Sequence, residues 1–163
     1  MRLGVLWGVL VAGTAAAAPA PDCLPSAEQA LAGINALRTQ ARSCGGAALP
    51  AVRPLRWDAR LAASAQAFAA ELAQRDTLSH EGQRARSLRE RLRAAGYRMR
   101  LAGENLAAGP DSLDEALAQW LASPAHCDNL MAAEFEDMGL ACVSGPGRYE
   151  RYWVLHLGRG IPE

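Results

Sequence analysis

The stretch Ser123-Pro124-Ala125-His126-Cys127-Asp128-Asn129-Leu130-Met131 decides how this chain is read. It sets an imidazole, a thiol, a carboxylate and an amide into one short segment, directly after a helical pattern that carries Trp120. Serine is a strong N-cap and proline costs nothing at the first helical position, so Ser123 and Pro124 are expected to open a short helix. His126 is then held near a helix start, where a loop could not hold it. Two pieces upstream match it: Leu78-Ser79-His80 after one helical run, and Gly103-Glu104-Asn105-Leu106 before another. The chain reads as a scaffold that brings His80, Glu104 and His126 together.

Outward from that segment, helix-start signals recur. Ser26-Ala27-Glu28-Gln29, Ser87-Leu88-Arg89-Glu90 and Ser112-Leu113-Asp114-Glu115 each have the form of a capping box. Ala30, Leu31, Ile34, Leu37 and Ala41 follow the first at helical spacing, which predicts a helix to about Ser43, stopped by Gly45-Gly46. Residues 47–56, with Pro50 and Pro54, read as an extended connector. Asp58 caps a second helix, whose apolar stripe is Leu61, Ala65, Phe68, Ala69 and Leu72 and which ends near Arg75; its many alanines predict close packing on another layer. Tyr97 to Leu101 reads as a short strand, and Gly103 to Gly109 as a loop or bulged edge. Asp137 to Val143 and Glu150 to Leu157 read as antiparallel strands joined by Ser144-Gly145-Pro146-Gly147. Alternation puts Tyr152, Val154 and His156 on one face, opposite Trp153, Leu155 and Leu157. Helices enclosing a small antiparallel sheet give an α+β sandwich.

The N-terminus has the form of an export signal. Arg2 is followed by an apolar run from Leu3 to Ala12 and by the small-residue site Ala18-Pro19-Ala20, so residues 1–20 are expected to be removed and residues 21–163 to form one domain. Cys23 lacks the run that precedes a lipidated cysteine, and no second stretch is long and apolar enough to span a membrane. The expected product is secreted or periplasmic, and monomeric. Four cysteines in an exported chain predict two disulfides. Of the three pairings, Cys23–Cys44 and Cys127–Cys142 are favoured, the first stapling both ends of helix one and the second tying the His126 turn to a later strand. A Cys/His zinc cluster is disfavoured, because the C-x2-C spacing is missing.

Seventeen arginines balance seventeen acids, and there is no lysine, which argues against a general nucleic-acid binder. The charges are unevenly placed. Arg84, Arg86, Arg89, Arg91, Arg93, Arg98 and Arg100 crowd one stretch, and eight acids fall between Leu101 and Gly147 without a basic residue. This is either a solvated face paired with acids or a dipolar surface that favours anionic partners.

In order and spacing, Trp57-Asp58 with Leu61-Ala62, Ser79-His80, Arg91 to Tyr97, Gly103 to Ala107, Trp120 with Ser123 to Met131, Met138-Gly139-Leu140 and Tyr152-Trp153 resemble the CAP superfamily (SCP or PR-1-like proteins) in its bacterial secreted form. The resemblance covers roughly Ser26 to Gly158. It implies an α-β-α sandwich with a central cleft whose histidines and acids take zinc. By position, His80 matches the first cleft histidine, Glu104 the acid of the Gly-Glu-Asn motif, and His126 the histidine of the bacterial Ser-Pro-x-His turn. Ser123 and Tyr152 stand where eukaryotic members carry an acid and a histidine, and His126 substitutes for the missing imidazole.

The ligand cleft is accordingly expected to be lined by His80, Glu104, His126 and Tyr152. His80 and His126 are expected to take a divalent metal weakly, with Glu104 either as a further ligand or orienting a histidine from behind. His156 either approaches the cleft from the Tyr152 face or is a hydrogen-bonded structural histidine. Three functions stay open: a binding module for a metal and for a lipid, peptide or glycan; a zinc-dependent hydrolase or protease with Glu104 and His126 as catalytic candidates; and a structural envelope protein with a vestigial cleft. No G-x-S-x-G elbow and no H-E-x-x-H helix are present.

Overall fold

The computed structural model describes residues 23–162; the export signal expected over residues 1–20 lies outside them. Along the chain come α1 (Ala27–Arg38), β1 (Arg42–Cys44), β2 (Ala47–Leu49), β3 (Arg56–Trp57), α2 (Ala59–Arg75), α3 (Leu88–Ala94), β4 (Met99–Ala108), α4 (Leu113–Ala122), α5 (Pro124–Met131), β5 (Asp137–Ser144) and β6 (Arg151–Gly160). The main sheet has the order β3-β5-β6-β4, with β4 at one edge; β4, β5 and β6 pair antiparallel, and the two-residue β3 joins β5 in parallel. No helix among the described residues is long and apolar enough to cross a membrane.

Strand alternation divides β6 as the sequence predicts. Trp153, Leu155 and Leu157 face a core shared with Ile34, Trp120 and Leu130 of α1, α4 and α5, while Tyr152 and Val154 face Phe68, Ala69 and Leu72 of α2. The sheet is therefore sandwiched, α2 and α3 against one face and α1, α4 and α5 against the other. Gly139 makes the α2 contact possible. A Cβ there would lie 2.1 Å from the Ala62 backbone nitrogen, so any side chain would push α2 off the sheet.

The capping boxes hold with one modification. Ser26 and Gln29 form the reciprocal pair. At Ser87 and Ser112 the serine accepts from the N3 backbone, but Glu90 and Glu115 reach one residue further back, to the amides of Arg86 and Asp111. Ser123 sits at the N-cap of α5, yet its side chain makes no capping hydrogen bond; Pro124 at the first position already removes one orphan donor.

Helix α1 ends at Arg38, well short of Ser43, because Arg38 leaves the helix surface for the interior. It is fully buried, and its guanidinium donates to the carbonyls of Arg53, Leu130, Ala132 and Phe135. The chain then forms the β1–β2 hairpin, in place of the helix end and connector that the spacing predicts. Gly45 and Gly46 are its turn, at φ +56° and +92°, and Gly45 lies flat on Pro124. The separate strand and loop expected over 97–109 are one long strand, β4, with a register shift between Met99 and Leu101.

The disulfides correct the expected pairing. Cys23 bonds Cys142 and Cys44 bonds Cys127, with Cα separations of 5.6 and 5.5 Å, inside the range disulfide geometry allows. The early end of α1 is the reason. Once the chain turns at Arg38, the hairpin carries Cys44 onto α5, beside Met131. Cys142 faces the α1 layer, where Cys23 packs.

Candidate functional site

Glu104 lies on the β4 face that looks toward α2, opposite His156 of β6 in register. It is buried and anchors a cluster drawn from four segments. Its Oε1 accepts from His80 Nδ1 at 2.7 Å; its Oε2 accepts from Arg91 Nη2 at 2.7 Å and from His156 Nε2 at 2.8 Å. Each partner arrives for a local reason. His80 follows α2, whose C-cap Asp76 turns the chain in the left-handed region at φ 46°. Arg91 sits on α3 between Leu88 and Leu92, on the inward stripe of that helix. His156 is fixed by β6 alternation and lies 6.5 Å from the Phe68 ring, stacked.

The electrostatics follow from that packing. Burial alone would raise the Glu104 pKa, but the histidine hydrogen bonds and the Arg91 charge overcome it and hold the carboxyl down at about 2. Burial lowers the pKa of His156, which keeps it neutral, its Nε2–H given to Glu104. His80 is raised by its hydrogen bond to Glu104. His126 is lowered, first by burial and then by the nearby charge on His80. The two cleft histidines thus shift in opposite directions, one toward imidazolium and one toward the neutral ring.

A stability dependence on pH follows. A carboxyl depressed from 4.5 to about 2 contributes stability that is whole above the unfolded pKa and lost as pH falls through the folded one; the shift corresponds to about 3 kcal/mol. His80 works in the other direction, its contribution being complete at low pH and lost as pH rises through its raised folded pKa. Thermal melts from pH 6 to 2 are expected to fall most steeply below about pH 4 in the wild type, and to lose that steepness in Glu104→Gln.

On the other face of β4, Asn105 does the positioning. It is fully buried, and its Nδ2 donates to the His126 carbonyl at 2.9 Å. Asn129 closes the link, donating to Asn105 Oδ1 at 3.0 Å and to the Glu104 carbonyl at 3.3 Å. Adjacent residues of one edge strand therefore fix the two histidines from the two helical layers, Glu104 holding His80 and Asn105 holding the α5 turn. His80 keeps 61% of its side chain exposed, and its Nε2 has no hydrogen-bond partner among the described residues.

Of the residues expected at the cleft, His80 meets Glu104 directly, and the His126 backbone is tied to Asn105, the next residue of β4. Glu104 Oε1 accepts from His80 and its Oε2 from Arg91 and His156, and no group of three or more His, Cys, Asp and Glu among the described residues is arranged to hold a metal ion. Glu104 orients the His80 ring through Nδ1. Tyr152, expected at the cleft, is fully buried against α2 and its hydroxyl donates to Asp76. Burial and that carboxylate push its pKa up to about 12. It lies four residues along β6 from His156, about 13 Å at strand rise. Two members of the cluster are not evident in the sequence. Arg91 stands among arginines that read as a solvated face, although its place between Leu88 and Leu92 marks the buried stripe. Alternation alone does not separate cleft from core for His156, because the residue opposite it on β4 is set by register.

Comparison with known proteins agrees with this architecture. Residues 31–157 match the family model for CAP, the cysteine-rich secretory protein family. An extracellular SCP-domain protein from Bacillus anthracis superposes with TM-score 0.66 at 25% identity, over 81% of this chain and 39% of that one. An outer surface protein from Borrelia burgdorferi superposes with TM-score 0.69 at 20% identity, over 82% of this chain and 92% of that one. The Bacillus subtilis protein YkwD is 26% identical over 103 residues, which is 63% of this chain and 40% of YkwD. The chain thus spans about two fifths of the length of YkwD and of the B. anthracis protein. With the sandwich, the edge-strand Gly-Glu-Asn and the family match in agreement, the chain belongs to the CAP, or cysteine-rich secretory protein, family.

Proposed function

We propose that this CAP domain is an exported binding module, secreted or periplasmic, whose cleft over the β4 edge takes a divalent cation weakly and an envelope peptide, lipid or glycan beside it. The observation that carries the reading is the Glu104–His80 hydrogen bond at 2.7 Å through Nδ1. A carboxylate in that position selects the tautomer of the ring and directs Nε2 away from the protein, the arrangement that makes histidine a ligand. His126, held toward its neutral form, offers the second nitrogen. Two imidazoles leave coordination positions open, and a bound cation would supply Lewis acidity to a ligand's carbonyl or phosphoryl oxygen. The two disulfides fit an oxidising compartment outside the cytosol.

The hydrolase reading needs a general base with a free oxygen near neutral pKa. Glu104 does not meet the second requirement, its carboxyl being held down at about 2 by its histidine and arginine partners. Binding without turnover is the better supported of the two. Zinc titration by calorimetry on the oxidised protein is expected to give weak one-site binding that disappears in both His80→Ala and His126→Ala while their thermal melts are kept. Affinity should fall as pH drops through the raised His80 pKa, since the proton competes for the ligating nitrogen. Absence of heat at millimolar zinc in the wild type would remove the metal from the proposal.

A further inference from the structure

The arginines that crowd residues 84–100 meet two fates. Arg91 turns inward to Glu104 and is the one of them with an ion pair among the described residues. Arg89, Arg93, Arg98 and Arg100 are exposed, and none makes a side-chain hydrogen bond or ion pair among the described residues.

The fold gathers these four on one face. Arg89 and Arg93 stand one turn apart on α3, which sets them side by side. Arg98 immediately precedes β4 and Arg100 is its second residue, and the start of β4 packs on α3 through Met99 and Leu88. Two shallow grooves of about 240 and 260 Å³ adjoin there, both lined by Arg89 and Met99. The first reaches Arg93, Arg98 and Ile161; the second reaches Arg100 and Leu101. Arg100 has no register partner in β6, because the pairing shifts between Met99 and Leu101, and that bulge lets three consecutive residues line one groove. Small-molecule pockets begin at about 300 Å³, so each groove is too small for an enclosed ligand and the face suits a surface partner.

The nearby acids do not offset the charge. Asp137, behind Tyr97, is held by that hydroxyl and by Arg56. Glu136 is shared by Arg56 and Arg159. Glu90, the acid of α3, receives the Arg86 amide, so the face sets four cations against that one carboxylate. Where it is not cationic, the face is apolar. Of the three large apolar side chains exposed among the described residues, two stand in these grooves, Leu101 at 41% and Ile161 at 47%. A soluble polyanion would engage the guanidinium groups and leave both in water. A bilayer interface engages both kinds of group, taking in apolar side chains beside headgroup phosphates that arginine binds in a bidentate way.

We propose that this face docks the domain on an anionic lipid surface, Arg89, Arg93, Arg98 and Arg100 meeting the phosphates and Leu101 and Ile161 entering the interface between them. The docking face is separate from the histidine cleft: α3 presents Arg91 to the cleft and Arg89 and Arg93 to the lipid.

Co-sedimentation of the oxidised protein with phosphatidylcholine vesicles containing about one third phosphatidylglycerol tests the assignment. The wild type is expected to bind these vesicles, to leave them as salt rises, and to ignore pure phosphatidylcholine vesicles. Arg89→Gln/Arg93→Gln is expected to bind at least about tenfold more weakly, since each arginine near an anionic surface is worth about fivefold. Leu101→Ser is expected to bind at least about threefold more weakly. Arg148→Gln removes one charge beyond the opposite end of β6 and should match the wild type. All four positions are exposed, so the variants should keep the wild-type melt; Ile161→Ser replaces Leu101→Ser if that variant melts early. No preference of the wild type for phosphatidylglycerol vesicles overturns the proposal, as does wild-type affinity in Arg89→Gln/Arg93→Gln. A loss in Arg148→Gln equal to that in Arg89→Gln overturns this face as the seat of binding. Unchanged vesicle affinity in Leu101→Ser overturns the lipid surface in favour of a soluble polyanion.

Discussion

Glu104→Ala is expected to destabilise the fold by about 3–5 kcal/mol, the range observed when one partner of a buried ion pair is removed. The cost has little to do with the lost attraction itself. Arg91, 6% exposed at its side chain and seated 3.6 Å from the Phe68 ring centroid, would keep its charge in an apolar setting without a counter-ion. His156, fully buried, would lose the acceptor of its Nε2 as well. Glu104→Gln should cost less, because an amide oxygen in the place of Oε2 still accepts from Arg91 and His156 while the NH2 opposes only the His80 donor. Urea unfolding measures both. The double variant Glu104→Ala/Arg91→Ala should then be more stable than the sum of the single losses predicts, since removing both charges leaves none stranded. Single losses that simply add would show that Glu104 and Arg91 do not act as a pair.

The second large effect concerns the bond between Cys44 and Cys127, which spans 83 residues of sequence. Closing a loop of that length restricts the unfolded chain by an amount worth about 4 kcal/mol in the chain-entropy model. Cys44→Ala/Cys127→Ala is accordingly expected to lower stability by about 2–5 kcal/mol in urea unfolding. The local consequence is more specific. The bond fastens the β1–β2 hairpin to α5, next to the residue whose carbonyl Asn105 holds. Zinc binding should therefore weaken along with stability, whereas removing Cys23–Cys142, which ties the chain start to β5, should lower stability and leave zinc affinity nearly unchanged. Peptide mapping of the oxidised protein that recovered Cys23 linked to Cys44 would contradict the pairing.

The elements legible in the sequence are those whose cause is local. Ser26, Asp58, Ser87 and Ser112 announce their helices because a cap acts within three residues. The faces of β6 follow from a period of two, and Trp153, Leu155 and Leu157 duly line the larger core. The Gly-Glu-Asn segment is legible as a site but not as a strand interior. Its Glu104 and Asn105 serve opposite faces of the sheet, which becomes visible only when β4 is known to be continuous.

What only the tertiary structure decided depends on groups far apart in the chain. The end of α1 is set by a buried Arg38 that reaches carbonyls more than ninety residues away, and that end redirects Cys44 from its nearest cysteine to Cys127. Arg91 and His156 became partners of Glu104 through helix packing and strand register, neither of which has a local signature. Tyr152 left the cleft because Asp76, at the left-handed cap of α2, claimed its hydroxyl. The sequence by itself determined the helix starts, the strand faces and the family resemblance, because caps and strand alternation act over a few residues. Burial and register decided which charges meet, and so placed Glu104 between His80, Arg91 and His156.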